Sequence, residues 1–168
     1  MILAMDLSLS GSAFAVLDIQ DGAINIIDTV WVNNKKHGQK PHGFRLRNIA
    51  EELKRLLQKH CIKYVVREKG FSRFNKTTQT LFKVVGVSDL LAFEKGHEAI
   101  EEITPTQVKK VITGSGAASK DDVEAGVRKF LTKDQANIIF ETDDVSDAVA
   151  VGICYAIQSG YISRKAGD

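Results

Sequence analysis

The chain has 168 residues, 43% of them hydrophobic and 26% charged, with a formal net charge of +2. That length and apolar share suit one globular domain with a real core, expected over residues 1–168, while the small charge means that any basic surface must come from local clustering. No run approaches the roughly 20 apolar residues that span a membrane, and no basic segment leads into a long apolar one at the start, so a cytoplasmic protein is expected.

Met1 to Met5 is a continuous apolar run of strand length, and Gly11 to Ile19 is a second strand candidate rich in small residues. Asp21-Gly22 follows, a strong hairpin signal because a tight primed turn needs positive φ, and Ala23 to Val32 supplies the partner strand. Asn33 to Gly43 is polar and basic with one proline and reads as a loop. Leu46, Ile49, Ala50, Leu53, Leu56 and Leu57 recur at helical spacing. Cys61 to Val66 reads as a buried strand, Thr77 to Phe93 as a second helix and Glu98 to Ile103 as a short final strand. Thr104-Pro105-Thr106-Gln107 combines a capping threonine, a first-turn proline and a glutamine three residues on, so a helix starts there and stops at Gly114-Ser115-Gly116. Another begins at Ser119, and the last begins near Asp144 and runs to Gly160. The cysteines, Cys61 and Cys154, read as small buried hydrophobes, and the histidines, His37, His42, His60 and His97, as surface residues without ligand spacing.

The order βββαβαβ followed by helices fits an α/β fold of ribonuclease H-like architecture: a five-stranded mixed sheet, its first three strands antiparallel, flanked by helices. In such a sheet the first and fourth strands are neighbours, which brings the carboxylates at their ends, Asp6 and Glu68, towards each other. Asp144 and Asp147 are three residues apart, hence on roughly one helical face where they can share a metal, and Asp147 is placed to reach Asp6 and Glu68 from its helix. Each acid alone has a plain reading, a helix cap or a strand-end surface charge. Together they repel unless a cation holds them, and oxygen donors without His or Cys suit Mg²⁺ or Mn²⁺. Two such ions stabilise the attacking and leaving oxygens of a phosphodiester displacement. Arg73 and Lys76, with Phe74 between them, form a basic-aromatic stretch suited either to phosphate or simply to solvent.

The segment Pro105 to Lys120, with its Gln-Val-Lys helix, Gly-x-Gly turn and downstream lysine, and the helix Asp144-Val145-Ser146-Asp147-Ala148-Val149-Ala150 resemble the RuvC-type Holliday-junction resolvases, particularly their small phage-encoded members. The likeness covers most of the chain. It implies a homodimer that nicks opposing strands of a four-way DNA junction in a bacterial cytoplasm, with Asp6, Glu68, Asp144 and Asp147 as catalytic metal ligands for two Mg²⁺ ions, Mn²⁺ substituting. It also implies that Lys109 and Lys120 lie by the scissile phosphate, with Lys110 adjoining on DNA, and that Phe71 stacks on a base near the crossover. One departure stands out: the family usually follows its first aspartate with Pro-Gly, whereas Asp6 is followed by Leu7-Ser8.

Three other readings compete. One is a broader nuclease of forks, flaps or RNA ends, which the same acids would serve. Another is a junction-binding protein without cleavage, against which the retention of all four acids argues. The third is a phosphotransferase of the actin and sugar-kinase type, whose first strand also delivers an aspartate followed by small polar residues. For that reading 168 residues hold only one of two lobes.

Overall fold

In the computed structural model, residues 1–70 and 75–163 are described, Asn75 and Lys76 as backbone only. Strand β1 (Ile2–Asp6) is the hub of the sheet. It pairs antiparallel with β2 (Gly11–Gln20), which pairs antiparallel with β3 (Ala23–Asn33), and on its other side it pairs parallel with β4 (Tyr64–Glu68). Strand β5 (Glu101–Ile103) adds parallel to β4, giving the order β3-β2-β1-β4-β5 expected of the ribonuclease H-like α/β plan. Asp21 (φ 50°) and Gly22 (φ 74°) form the two-residue turn between β2 and β3, both in the left-handed region that a type I′ hairpin requires.

Each face of the sheet carries a core. On one face Leu3, Met5, Phe14, Val16 and Val65 pack against helices α1 (His42–Lys59) and α2 (Asn75–Glu94) through Ile49, Leu53, Leu56 and Val84. On the other, Ala4, Ala13, Ala15 and Val66 are small enough for helix α5 (Asp143–Gln158) to lie close over the sheet centre, with α3 (Pro105–Thr113) and α4 (Lys120–Arg128) beside it. Gly152 makes that approach possible, since a Cβ there would fall 2.3 Å from Leu17 Cδ1 and 3.0 Å from Ala4 Cβ. The first turn of α5 is thereby set over the end of β1.

The helix starts follow the sequence closely. Thr104 and Ser119 form capping boxes with Gln107 and Asp122, and Gly114 closes α3 in the left-handed conformation (φ 86°). α5 is capped by Thr142, whose hydroxyl accepts from the Val145 N–H, so Asp144 lies inside the first turn and is not the cap.

Other expectations are corrected. Cys61 is exposed, not a buried strand residue: β4 begins only at Tyr64, and Cys61 to Lys63 form the connection, where the Lys63 N–H bonds to the Met1 carbonyl. Cys154 is buried as expected. The last strand is confined to Glu101–Ile103, and α1 opens at His42, inside the segment read as loop. His60 is no surface residue, since its side chain is 8% exposed and its Nε2 lies 2.9 Å from Asp28 Oδ2. Among the described residues no helix is long and apolar enough to cross a membrane.

Candidate active site

β1 and β4 run parallel with Met5 opposite Arg67, so Asp6 and Glu68 occupy the next rung, at the carboxyl ends of adjacent strands. Such ends are where open α/β sheets gather ligands. Asp147, on the first turns of α5, and Asp144, one turn before it, complete the group. Burial, then the charges of Glu68, Asp147 and Asp144, push Asp6 up to about 8, with Lys120 acting the other way. Burial, then Asp147, raise Glu68 to about 7 against the pull of Lys109 and Lys120. Burial also raises Asp147, with Lys120 opposing. The sequence-predicted acids therefore share one electrostatic site.

Lys120 opens α4 and reaches across to α5, its Nζ 3.5 Å from Asp147 Oδ2 and 3.6 Å from Asp143 Oδ2. Burial alone would lower its pKa, but Asp147, Asp143 and Asp144 outweigh that and raise it. Lys109, on α3, donates to the Ala118 carbonyl at 2.7 Å, tying the helix to the glycine turn while its charge acts on Glu68. Gly116 is needed in that turn, where a Cβ would lie 2.9 Å from Thr106 Cγ2. Lys110 is exposed on α3. Phe71 and Arg73 lie outside the described residues, and Lys76 is described only as backbone at the start of α2.

The departure after Asp6 is filled by serines. Ser12 Oγ donates to the Ser8 carbonyl at 2.7 Å and accepts from the Ser8 N–H at 3.2 Å, while Ser8 Oγ accepts from the Gly11 N–H at 2.9 Å. Side-chain bonds thus hold the loop that proline and glycine would otherwise shape. Leu7 and Leu9 are buried beneath it.

Three residues that the sequence reading passed over also shape the site. Trp31 of β3 donates its indole N–H to Asp144 Oδ2 at 3.2 Å. Arg67, buried beside Glu68 in β4, bonds Glu102 of β5 at 2.8 Å, Ser88 of α2 at 3.1 Å, and Asp89 of α2, locking the strand that carries Glu68 to two neighbours. Arg45 of α1 lines a cleft of about 340 Å³ with Ser8, Ser10, Thr77, Thr80 and Glu68, and its Nε is buried without a hydrogen-bond partner. Such an orphan cationic donor is costly unless a ligand completes it. A strand tryptophan and a helix arginine carry no local mark of these roles, because register and packing create them.

The donor set fits a hard divalent cation: it consists of carboxylate oxygens, the charges of Glu68, Asp147 and Asp144 add to burial in raising Asp6, and among the described residues Lys120 is the cation ion-paired with the group. Among the described residues, no three His, Cys, Asp or Glu side chains are already closed around a common point. Lys120 instead serves as the counter-charge of Asp147.

A profile of the family described as "Crossover junction endodeoxyribonuclease RuvC" matches residues 2–155. The crossover junction endodeoxyribonuclease RuvC of Halothermothrix orenii is 31% identical over 99% of this chain and 97% of its own length. That of Ehrlichia ruminantium is 32% identical over 92% of this chain and 94% of its own. Among solved structures, T. thermophilus RuvC in complex with a Holliday junction substrate superposes with a TM-score of 0.82 at 22% identity, covering 94% of this chain and 93% of that one. The fold, the carboxylate group at the β1 and β4 ends and these matches agree, and the chain belongs to the RuvC family of crossover junction endodeoxyribonucleases.

Proposed function

We propose that this crossover junction endodeoxyribonuclease resolves four-way DNA junctions as a homodimer by paired nicking, with Asp6, Glu68, Asp144 and Asp147 holding two Mg²⁺ ions per site, for which Mn²⁺ can substitute. The observation that carries the reading is the placement of Asp6 and Glu68 at the carboxyl ends of adjacent parallel strands, where burial first and neighbouring carboxylates second raise both above the ordinary carboxylate range. Structural ion pairs lower acid pKa values, whereas burial and like charges raise them, and carboxylates raised in this way mark a candidate site for a cation or for proton transfer. Bound divalent ions supply Lewis-acid stabilisation of the attacking and leaving oxygens.

The chain's own residues do the rest. With Asp6 raised to about 8 and Glu68 to about 7, a cation held by them would have to displace the protons they carry. Lys120 and Lys109 bring positive charge to the edge where the scissile phosphate must approach the acids, and each offsets the repulsion between phosphate and carboxylate. Lys110, Arg73 and Lys76 extend this basic contact along the strand, and Phe71 stacks on a base opened at the crossover. Arg45, whose Nε is buried without a hydrogen-bond partner, brings its positive charge to a neighbouring phosphate through the cleft that Glu68 also lines. The homodimer is supported by α2, which presents Phe82, Leu90 and Phe93 to solvent at 61%, 58% and 66% exposure, on one stripe with Gly86 between them.

A synthetic four-way junction incubated with the protein and Mg²⁺ should be cut into two nicked duplexes, and EDTA should stop the cutting. Asp6→Asn, Glu68→Gln, Asp144→Asn and Asp147→Asn should each abolish nicking while junction affinity stays at or above wild type, because each loses a metal ligand and also a charge that repels phosphate. Wild-type cutting rates from two or more of these variants under single-turnover conditions would overturn the site.

A further inference from the structure

Asp6, Ala13 and Trp31 form one row across three strands: Asp6 pairs with Ala13 in the β1–β2 ladder, and Ala13 with Trp31 in the β2–β3 ladder. Residues directly opposite in an antiparallel ladder point to the same face, so the indole stands on the side of the sheet that α5 covers. From there it reaches over Gly11 to Asp144, its Nε1 3.2 Å from Oδ2. Gly11 is the clearance for this contact. A Cβ at that position would lie 3.1 Å from Trp31 Nε1 and 3.3 Å from Asp144 Oδ2, wedged between the two partners.

The chemistry of the donor matters. An indole N–H donates and cannot accept, so it fixes the carboxylate's orientation without cancelling its charge. Lys120, by contrast, neutralises the acid it pairs with and must compete with any cation for it. Partners that orient metal-binding carboxylates in this way commonly account for about 10–100-fold in metal affinity.

We propose that Trp31 is the positioning residue for Asp144, its indole N–H holding the carboxylate in the orientation that receives a divalent cation, with Gly11 keeping the path between them open. This rests on reading the acid group as a divalent-cation site. Because the chain has one tryptophan, that side chain reports on itself. Its single indole N–H resonance should shift when Mg²⁺ saturates the protein and broaden when Mn²⁺ does, with no DNA present.

The decisive comparison is Mg²⁺ and Mn²⁺ binding by calorimetry to wild type, Trp31→Phe and Gly11→Ala. Trp31→Phe keeps an aromatic ring but removes the donor, and should raise the metal Kd by about 10–100-fold. Gly11→Ala keeps both partners but crowds their contact, forcing a shift of a few tenths of an ångström, and should move the Kd in the same direction. The double variant should be little worse than either single one, since both act on one interaction. In cleavage assays the metal concentration for half-maximal rate should rise in both variants while the rate at saturating metal recovers, a split that general loss of structure would not produce.

The outcomes separate the two ideas. If wild type binds no divalent cation, the reading of the acid group fails, and this inference with it. If wild type binds the ion while Trp31→Phe and Gly11→Ala bind it within twofold of wild type, the site stands and the positioning role is overturned. Should Trp31→Phe prove misfolded by its melting curve, the wild-type indole resonance and Gly11→Ala decide: an unmoved resonance on metal addition refutes the contact's role.

Discussion

Lys120 Nζ lies 3.5 Å from Asp147 Oδ2, so one of the acids proposed to bind metal is already neutralised by a lysine from the neighbouring helix. The pair gives Lys120 two opposed duties. It offsets the acids as they stand, and it would have to release Asp147 for a cation to bind there.

Lys120→Met should therefore change metal and DNA binding in opposite directions. Metal affinity should stay the same or rise, because a competing cation is gone, whereas junction affinity should fall and the slope of log K against log salt should flatten by roughly one contact. The single-turnover rate at saturating metal should drop. Parallel metal titration and salt-dependent junction binding check this, and unchanged values in both would make Lys120 an ordinary surface lysine.

The raised acids make stability depend on pH in a specific direction. Asp6 moves from 3.8 to about 8 on folding and Glu68 from 4.5 to about 7, so the native state holds more protons than the unfolded chain across that window. The stabilisation is complete below the unfolded values and is lost as pH rises through the folded ones. Metal-free protein should melt progressively lower between about pH 5 and pH 9, each kcal/mol lost costing about 2–4 °C. Asp6→Asn should remove most of the slope, and saturating Mg²⁺ should restore the melting temperature most at the alkaline end. Asp28 works in the opposite sense and outside this window. Burial would raise it, but hydrogen bonds from His60 and Lys59 hold it at about 2, so its contribution is present above about pH 4 and lost only in acid.

What the sequence revealed and what it hid divide along the range of the interactions. The Asp21-Gly22 turn, the Thr104 and Ser119 capping boxes and the Gly114 stop are local chemistry, and each falls where the residues place it. The four acids were legible because each ends a strand or lies in the first turns of a helix, positions that topology then brings together. Cys61 was misread because the apolar pair Cys61-Ile62 looks continuous with Tyr64 to Val66, although the backbone uses it as a connection pinned to Met1. His60 was misread because its partner, Asp28, is 32 residues away on a strand whose register no local pattern fixes. The contacts of Trp31 with Asp144 and of Arg67 with Glu102 were hidden for the same reason.

Arg45 offers a test of the cleft beside Glu68. Its Nε is buried without a partner, so Arg45→Met should remove an unsatisfied donor and leave the melting temperature at or slightly above wild type. Junction affinity should nevertheless fall, with a shallower salt dependence, if a phosphate completes that donor. Binding isotherms at several salt concentrations check this. An unchanged affinity and slope would show that the cleft lies off the path of the DNA.

The outward stripe of α2 leads to a prediction about paired cutting. Phe82, Leu90 and Phe93 stand exposed on the helix that Arg67 ties, through Ser88 and Asp89, to the strand bearing Glu68. Fully burying an apolar side chain of this size is worth up to about 1.5–3 kcal/mol, so covering the three with a second copy would favour association. Phe82→Glu and Phe93→Glu should each weaken self-association by about 10–100-fold, since each exchanges that gain for a desolvated charge. Sedimentation of the variants should then show monomers at concentrations where wild type is dimeric, with helical content and metal affinity retained. On a supercoiled plasmid that extrudes a cruciform, wild type should produce linear DNA if the proposed dimer makes both nicks within one bound complex, and the variants should accumulate nicked circles. A variant that is monomeric yet still linearises the plasmid at the wild-type rate would separate paired cutting from this helix, and one that remains dimeric would place the interface elsewhere.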